Sequence, residues 1–313
     1  MNIYKYLLLL SFICTGCHTL KISMSQPEPI PFIESPAPPV KVALVLGGGG
    51  TKGLAHLGVL YELEQMGIHP DLIVGCSSGA IIGALYADHP HVKRLAPLLV
   101  GLKKSDLIDF SFLASKFGLV KGISLRNFLQ DQLKSRTFQE LKIPLVVVAT
   151  DLNTGELIEL GGGKIIPALV ASAAVPGVFK PVNYLGRYLV DGGVANPIPV
   201  DVAKKFHPKV IIAVDVGEGL SSEDPFHFFG IAKRGVDISY RKLSEYVTRS
   251  ADVLIEMKFQ DVGMFSDVQN QKIYDHGRQK AREMLPKIRR VINERLSSSG
   301  PDELACPTWM MIE

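Results

Sequence analysis

Unbroken apolar runs alternate along this chain with longer segments whose apolar positions recur at helical spacing. Residues 42–46, 72–74, 145–149 and 210–214 are runs of Val, Leu, Ile and Ala, and 253–257 is a further strand candidate. Strands apolar on both sides are those covered by helices on both faces of a sheet. After the first run, Leu54, Leu57, Leu60, Tyr61 and Leu63 share one broad helical face. Helical patterns follow near 80–85, 92–102, 125–133, 166–174, 231–249 and 273–296, and 187–190 reads as another strand. This alternation predicts an α/β protein, a three-layer α/β/α sandwich with a largely parallel central sheet.

The two ends break the pattern. After Lys5, residues 7–13 form an apolar run too short to cross a bilayer but suited to the core of a signal peptide. Cys14-Thr15-Gly16-Cys17 follows and resembles a bacterial lipobox, with Cys14 where that motif has Leu. The expectation is a signal peptide over 1–16 and lipidation at Cys17. The alternatives are an uncleaved anchor or a soluble chain with an apolar start. His18, in place of Asp, points to the outer membrane of a bacterial envelope; the other locations are the cytoplasm and the inner membrane. Pro27, Pro29, Pro31, Pro36, Pro38 and Pro39 stiffen the next stretch into an extended tether, so 17–40 is read as a linker. One folded domain is expected over 41–296, and a loose tail over 297–313.

Composition narrows the function classes. The chain has 313 residues, 47% of them apolar, enough for one large core. A net charge of +3 carries no nucleic-acid signature. Four cysteines, of which Cys14 would be removed and Cys17 acylated, make no disulfide framework. No metal-ligand spacing or internal repeat is visible, and no cofactor is expected.

Candidate chemistry sits where strands end. Gly47-Gly48-Gly49-Gly50-Thr51-Lys52-Gly53 lies between the first strand and its helix, an arrangement that gathers free N–H groups around an anion. Gly48, Gly50 and Gly53 match a dinucleotide fingerprint, and Lys52 is followed by Gly53 rather than the Ser or Thr of a nucleotide-binding P-loop. A dinucleotide fold needs an acid at the carboxyl end of the second strand. Here Asp71 lies at its beginning, and its end carries Gly75-Cys76-Ser77-Ser78-Gly79. That run is the pattern of a nucleophile elbow, with a serine on a tight strand-to-helix turn. Both loops open onto one crevice of a parallel sheet, which favours the oxyanion of an acyl-transfer intermediate as the anion.

A serine hydroxyl needs a base. None of the eight histidines has a clear loop-after-strand placement, although His207, His227 and His276 come late enough for a Ser-acid-His order. Asp191 is the better candidate: it ends the 187–190 strand and precedes Gly192-Gly193, which permits close backbone approach. A plain Asp-Gly turn is the alternative. A carboxylate becomes a useful base when burial raises its pKa. Two aromatic segments, Phe110-Ser111-Phe112-Leu113 with Phe117 and Leu119, and Phe226 with Phe228 and Phe229, are either core or an acyl-chain lid.

The glycine loop ending in Lys-Gly, the Gly-x-Ser-x-Gly elbow and Asp191-Gly192-Gly193, in this order, resemble the patatin-like phospholipase family. Two further blocks agree: Thr150-Asp151-Leu152-Asn153-Thr154-Gly155, and Ala171-Ser172-Ala173-Ala174-Val175-Pro176-Gly177-Val178-Phe179-Lys180-Pro181. The resemblance runs from Lys41 to Asp215. It implies a lipid acyl hydrolase with a Ser77-Asp191 dyad and no catalytic histidine. The N–H groups of Gly48, Gly49 and Gly50 would hold the oxyanion, and Lys52 would add positive charge nearby or face solvent. Cys76 stands where the family often has Thr and is expected to pack away from the site. The implied substrate is a lipid or other acyl ester, met at a membrane through the N-terminal anchor. A thioesterase or acyltransferase with the same site, or a silent lipid-binding protein, are the rivals.

Overall fold

The computed structural model describes residues 26–31, 39–109, 120–217, 228–259, 262–263 and 266–297. The expected signal peptide, Cys17, the first aromatic segment, Phe226 and the tail beyond 297 fall outside these residues, and so do the side chains of Phe228 and Phe229.

Five strands, β1 (Val42–Leu46), β2 (Leu72–Cys76), β3 (Leu145–Asp151), β7 (Val210–Asp215) and β8 (Val253–Glu256), run parallel in the order β3-β2-β1-β7-β8. Most of their residues are fully buried, as the apolar runs require. On the two faces lie α1 (Leu54–Gln65), α2 (Ser78–Asp88), α3 (Val92–Val100), α4 (Lys104–Leu107), α5 (Ile123–Gln132), α6 (Ile165–Ser172), α7 (Val200–Lys204), α8 (Phe228–Val247) and α9 (Asn270–Ser297). One core cluster includes Leu44, Leu57 and Ile73; the other includes Val45, Val74 and Val148. This is the expected sandwich, its neighbouring side chains alternating between two cores.

Three antiparallel strands complete the sheet: β4 (Leu157–Leu160), β5 (Val182–Tyr184) and β6 (Arg187–Asp191). Their register positions the site. A strand has two hydrogen-bonding edges. One edge of β3 is taken by β4 from Val147 to Thr150. The other carries β2 as far as the pair Cys76–Val148, and β6 takes it over at once with the pair Asp191–Ala149. β2 ends, and β6 arrives head-on in the space beyond it. The residue after Cys76 therefore meets the last residue of β6.

The tether is not wholly loose. The Glu28 N–H donates to the Leu185 carbonyl at 3.1 Å, and Arg187 donates to the Glu28 carbonyl at 2.6 Å. Ile30 packs against the main core. Extended backbone can pair with the turn at this sheet edge, and these residues use it.

Candidate active site

The elbow is built by two close approaches. Ser77 has φ 53° and ψ −121°, a backbone conformation that costs a non-glycine residue roughly 1–3 kcal/mol. The surrounding glycines let the turn close: a Cβ on Gly75 would stand 2.5 Å from the Ala80 Cα, and one on Gly79 would stand 2.2 Å from the Leu46 carbonyl oxygen. Ser172 fixes the turn from the side, its hydroxyl accepting the Ser77 N–H at 2.9 Å. Helix α2 starts at Ser78, so the positive end of its dipole lies beside the Ser77 hydroxyl.

That hydroxyl donates to Asp191 Oδ2 at 2.6 Å. Asp191 Oδ1 accepts the Gly193 N–H at 2.7 Å. Thr150 holds the turn, donating to the Asp191 carbonyl at 2.9 Å and accepting the Ala195 N–H at 3.2 Å. Burial pushes the Asp191 carboxyl up to about 6, against the opposing pull of its bonds from Ser77, Gly193 and Cys76. A carboxylate so placed is ionised at neutral pH, yet is a far better proton acceptor than one in water.

Cys76 departs from expectation. It is fully buried in the core, but its Sγ lies 3.9 Å from Asp191 Oδ1, beneath the carboxylate rather than away from it. Burial, and then the Asp191 charge, raise its pKa, so it remains an unreactive thiol.

The glycine loop meets the serine. A Cβ on Gly48 would stand 3.2 Å from the Ser77 Cβ. The Gly48 N–H, however, is spent on the Pro197 carbonyl at 3.1 Å, which removes it as an oxyanion donor. The reason is anchorage: Gly47 and Gly48 bond to the Val214 and Pro197 carbonyls, and these hold the loop down. Among the described residues, the N–H groups of Gly49 and Gly50 have no acceptor, and Gly50 lines the same cleft as Ser77 and Ser78. Lys52 does not face solvent; it is 2% exposed.

No described histidine is bonded to this pair. His56 is fully buried on α1, and its Nε2 lies 2.8 Å from the Gly47 carbonyl. Burial lowers its pKa to about 4, so it is neutral and donates to that carbonyl. His276 packs against Phe259 with the two rings tilted, and His89 pairs with Asp88. Asp71 caps β1, accepting the N–H groups of Lys41 and Val42.

A sequence model of patatin-like phospholipases matches residues 44–204, half of the chain. The chain belongs to the patatin-like phospholipase family. The patatin-like phospholipase domain-containing protein ZK370.4 of Caenorhabditis elegans is 30% identical over 215 residues, which are 66% of this chain and 16% of that protein. Domain-containing protein 6 of Homo sapiens is 28% identical over 216 residues, 66% of this chain and 15% of its own length. An uncharacterized NTE family protein of Mycobacterium bovis is 33% identical over 178 residues, 56% of this chain and 49% of its own. This patatin-like chain thus spans about a sixth of its animal relatives and half of the mycobacterial one. VipD from Legionella pneumophila shares the fold, with a TM-score of 0.58 at 15% identity over 86% of this chain and 72% of that one.

Beside the patatin-like motifs stand residues that no motif marks. Tyr240 on α8 donates its hydroxyl to the Gly48 carbonyl at 3.0 Å, and a Cβ on Gly193 would stand 2.9 Å from its ring. His56 and Tyr240 thus brace the loop through consecutive carbonyls. Next to Ser77 opens a cleft of about 930 Å³, counting its space open to solvent. Ile81, Ile82, Leu99, Leu102, Leu107 and Phe128 are among its walls. Its size and apolar lining suit a lipid-sized ligand.

Proposed function

We propose that the protein is a serine lipid acyl hydrolase of the phospholipase A type, acting through Ser77 and Asp191. The observation that carries the proposal is the 2.6 Å hydrogen bond from the Ser77 hydroxyl to a buried carboxylate whose pKa is raised to about 6. Ser77 Oγ attacks the ester carbonyl carbon while its proton passes to Asp191. The N–H groups of Gly49 and Gly50, with that of Ser78 at the start of α2, hold the oxyanion of the tetrahedral intermediate. Collapse breaks the bond to the leaving alcohol, which takes the proton from Asp191. An acyl chain now esterifies Ser77. Asp191 then deprotonates a water that attacks this ester, and a second collapse returns the proton to Ser77 and frees the fatty acid. Lys52, a buried residue of the same loop, adds positive charge near the oxyanion.

The apolar cleft supports an acyl chain as the group transferred, and membership in the family supports a lipid ester as its source. The proposal includes lipidation at Cys17 and residence in a bacterial envelope, supported by the sequence pattern of residues 5–18. The test compares the wild type with Asp191→Asn on phosphatidylglycerol vesicles and on a short-chain soluble ester. Loss of both activities, with the circular dichroism unchanged, is the expected result. Full activity of the aspartate variant would mean that another group is the base.

A further inference from the structure

Large apolar side chains stand exposed around the catalytic end of the sheet. They are Leu152, Val194, Ile231, Val236 and Ile238, from 43% to 67% exposed. Hydrogen bonds and packing tie Val194, Leu152 and the Val236 turn of α8 to the site. Val194 follows Gly193, whose N–H is held by Asp191 and whose Cα faces the Tyr240 ring. Val236 lies one turn before Tyr240 on the same stripe of α8. Leu152 follows the strand end where Thr150 clamps the Asp191 and Ala195 backbone. Ile231 and Ile238, two turns apart, share another stripe of the helix.

The same helix is basic in sequence, with Lys233, Arg234, Arg241 and Lys242 against Asp237 and Glu245. Exposed apolar residues interleaved with an excess of Lys and Arg are what an interfacial helix presents to an anionic bilayer. No described helix is long and apolar enough to cross a membrane.

We propose that α8 and the adjoining Val194 and Leu152 turns form a docking surface for an anionic lipid bilayer. This rests on the lipid-hydrolase reading above, and supplies what a two-phase reaction needs. A bilayer docked there lies beside the turns that hold Asp191 and the loop that Tyr240 braces, which keeps the path of the substrate short. The tether agrees. With Cys17 lipidated and residues 26–31 seated on the domain, nine residue steps separate anchor from body, a reach of about 30 Å. Tyr240 links the docked helix to the Gly48 carbonyl, so that ordering α8 steadies the loop beside the serine.

The test is amide hydrogen exchange on the full chain, with vesicles of pure phosphatidylcholine and with vesicles containing phosphatidylglycerol. Exchange in peptides of 228–247 and 192–196 should slow at least threefold more on the anionic vesicles. The variant Ile231→Ser/Val236→Ser/Ile238→Ser should lose that protection. It should also lose about tenfold of its activity on vesicles, while turnover of a soluble ester stays within twofold of wild type. Equal exchange on both vesicle types, or protection that rises with protein concentration without vesicles, overturns the proposal. If the wild type hydrolyses neither substrate, the hydrolase reading fails, and exchange still decides the docking surface.

Discussion

Asp191 holds a charge that its surroundings disfavour. The group binds a proton more tightly in the folded chain, at about 6, than the usual carboxylate at 3.8. Between these values the folded state carries more protons than the unfolded one, so this group makes stability fall as pH rises from 4 to 6. Above pH 6 the cost is complete, about 3 kcal/mol from the shift. Asp191→Asn removes the charge and should therefore raise the melting temperature at pH 7 while turnover falls by about 10³-fold. A variant less stable than wild type at pH 7 would show that the carboxylate is not strained there. The same pKa sets an acid limb: kcat/KM on a soluble ester should fall tenfold per unit below about pH 6. A profile flat from pH 7 to 4.5 would contradict it. Ser77, Asp191 and the loop glycines were legible in the sequence because elbows and glycine loops impose local residue types. The bracing roles of Tyr240 and His56 were not, nor was that of Ser172 within its recognised block, because they act through single contacts with carbonyls or N–H groups distant in the chain. Nor was the loss of Gly48 as a donor, which depends on Pro197 reaching the loop.

At the scale of elements, the sheet edge of β3 decides the site, since β2 and β6 share it end to end. The parallel strands were readable as apolar runs because both their faces are buried. The antiparallel β5 is half-exposed, its three residues carrying no period. α7, five residues long, is too short for a helical stripe to be read. The helix pair α1–α9 was visible as two patterns but not as a crossing. There a Cβ on Gly277 would stand 2.1 Å from the Ala55 carbonyl oxygen, and one on Gly58 would stand 2.3 Å from that of Tyr274. Gly277→Val should cost about 1–3 kcal/mol in denaturant unfolding, as overpacking does, with the soluble-ester kcat of the folded protein kept within twofold. Wild-type stability in that variant would mean that the helices are not pressed together.

For the whole molecule, the sandwich puts its chemistry at one end of the sheet, where the loops after β1, β2 and β7 and the end of β6 converge. The seat of residues 26–31 on the β5–β6 turn shortens the linker read from the prolines; a proline-rich pattern marks extended backbone, not whether that backbone finds an edge. On the lipoprotein proposal, Cys17→Ala should abolish incorporation of labelled fatty acid and leave hydrolysis of a soluble ester unchanged. Incorporation that persists would place the lipid elsewhere or remove it from the account.

The central claim is that one hydroxyl and one carboxylate act together. It is tested most directly by reaction with an alkyl fluorophosphonate, followed by mass mapping of the labelled peptide and by its rate in Asp191→Asn. The account expects a single phosphonyl group on Ser77, added at least a hundredfold more slowly in the variant. A label on any other residue, or an unchanged rate without the carboxylate, contradicts it.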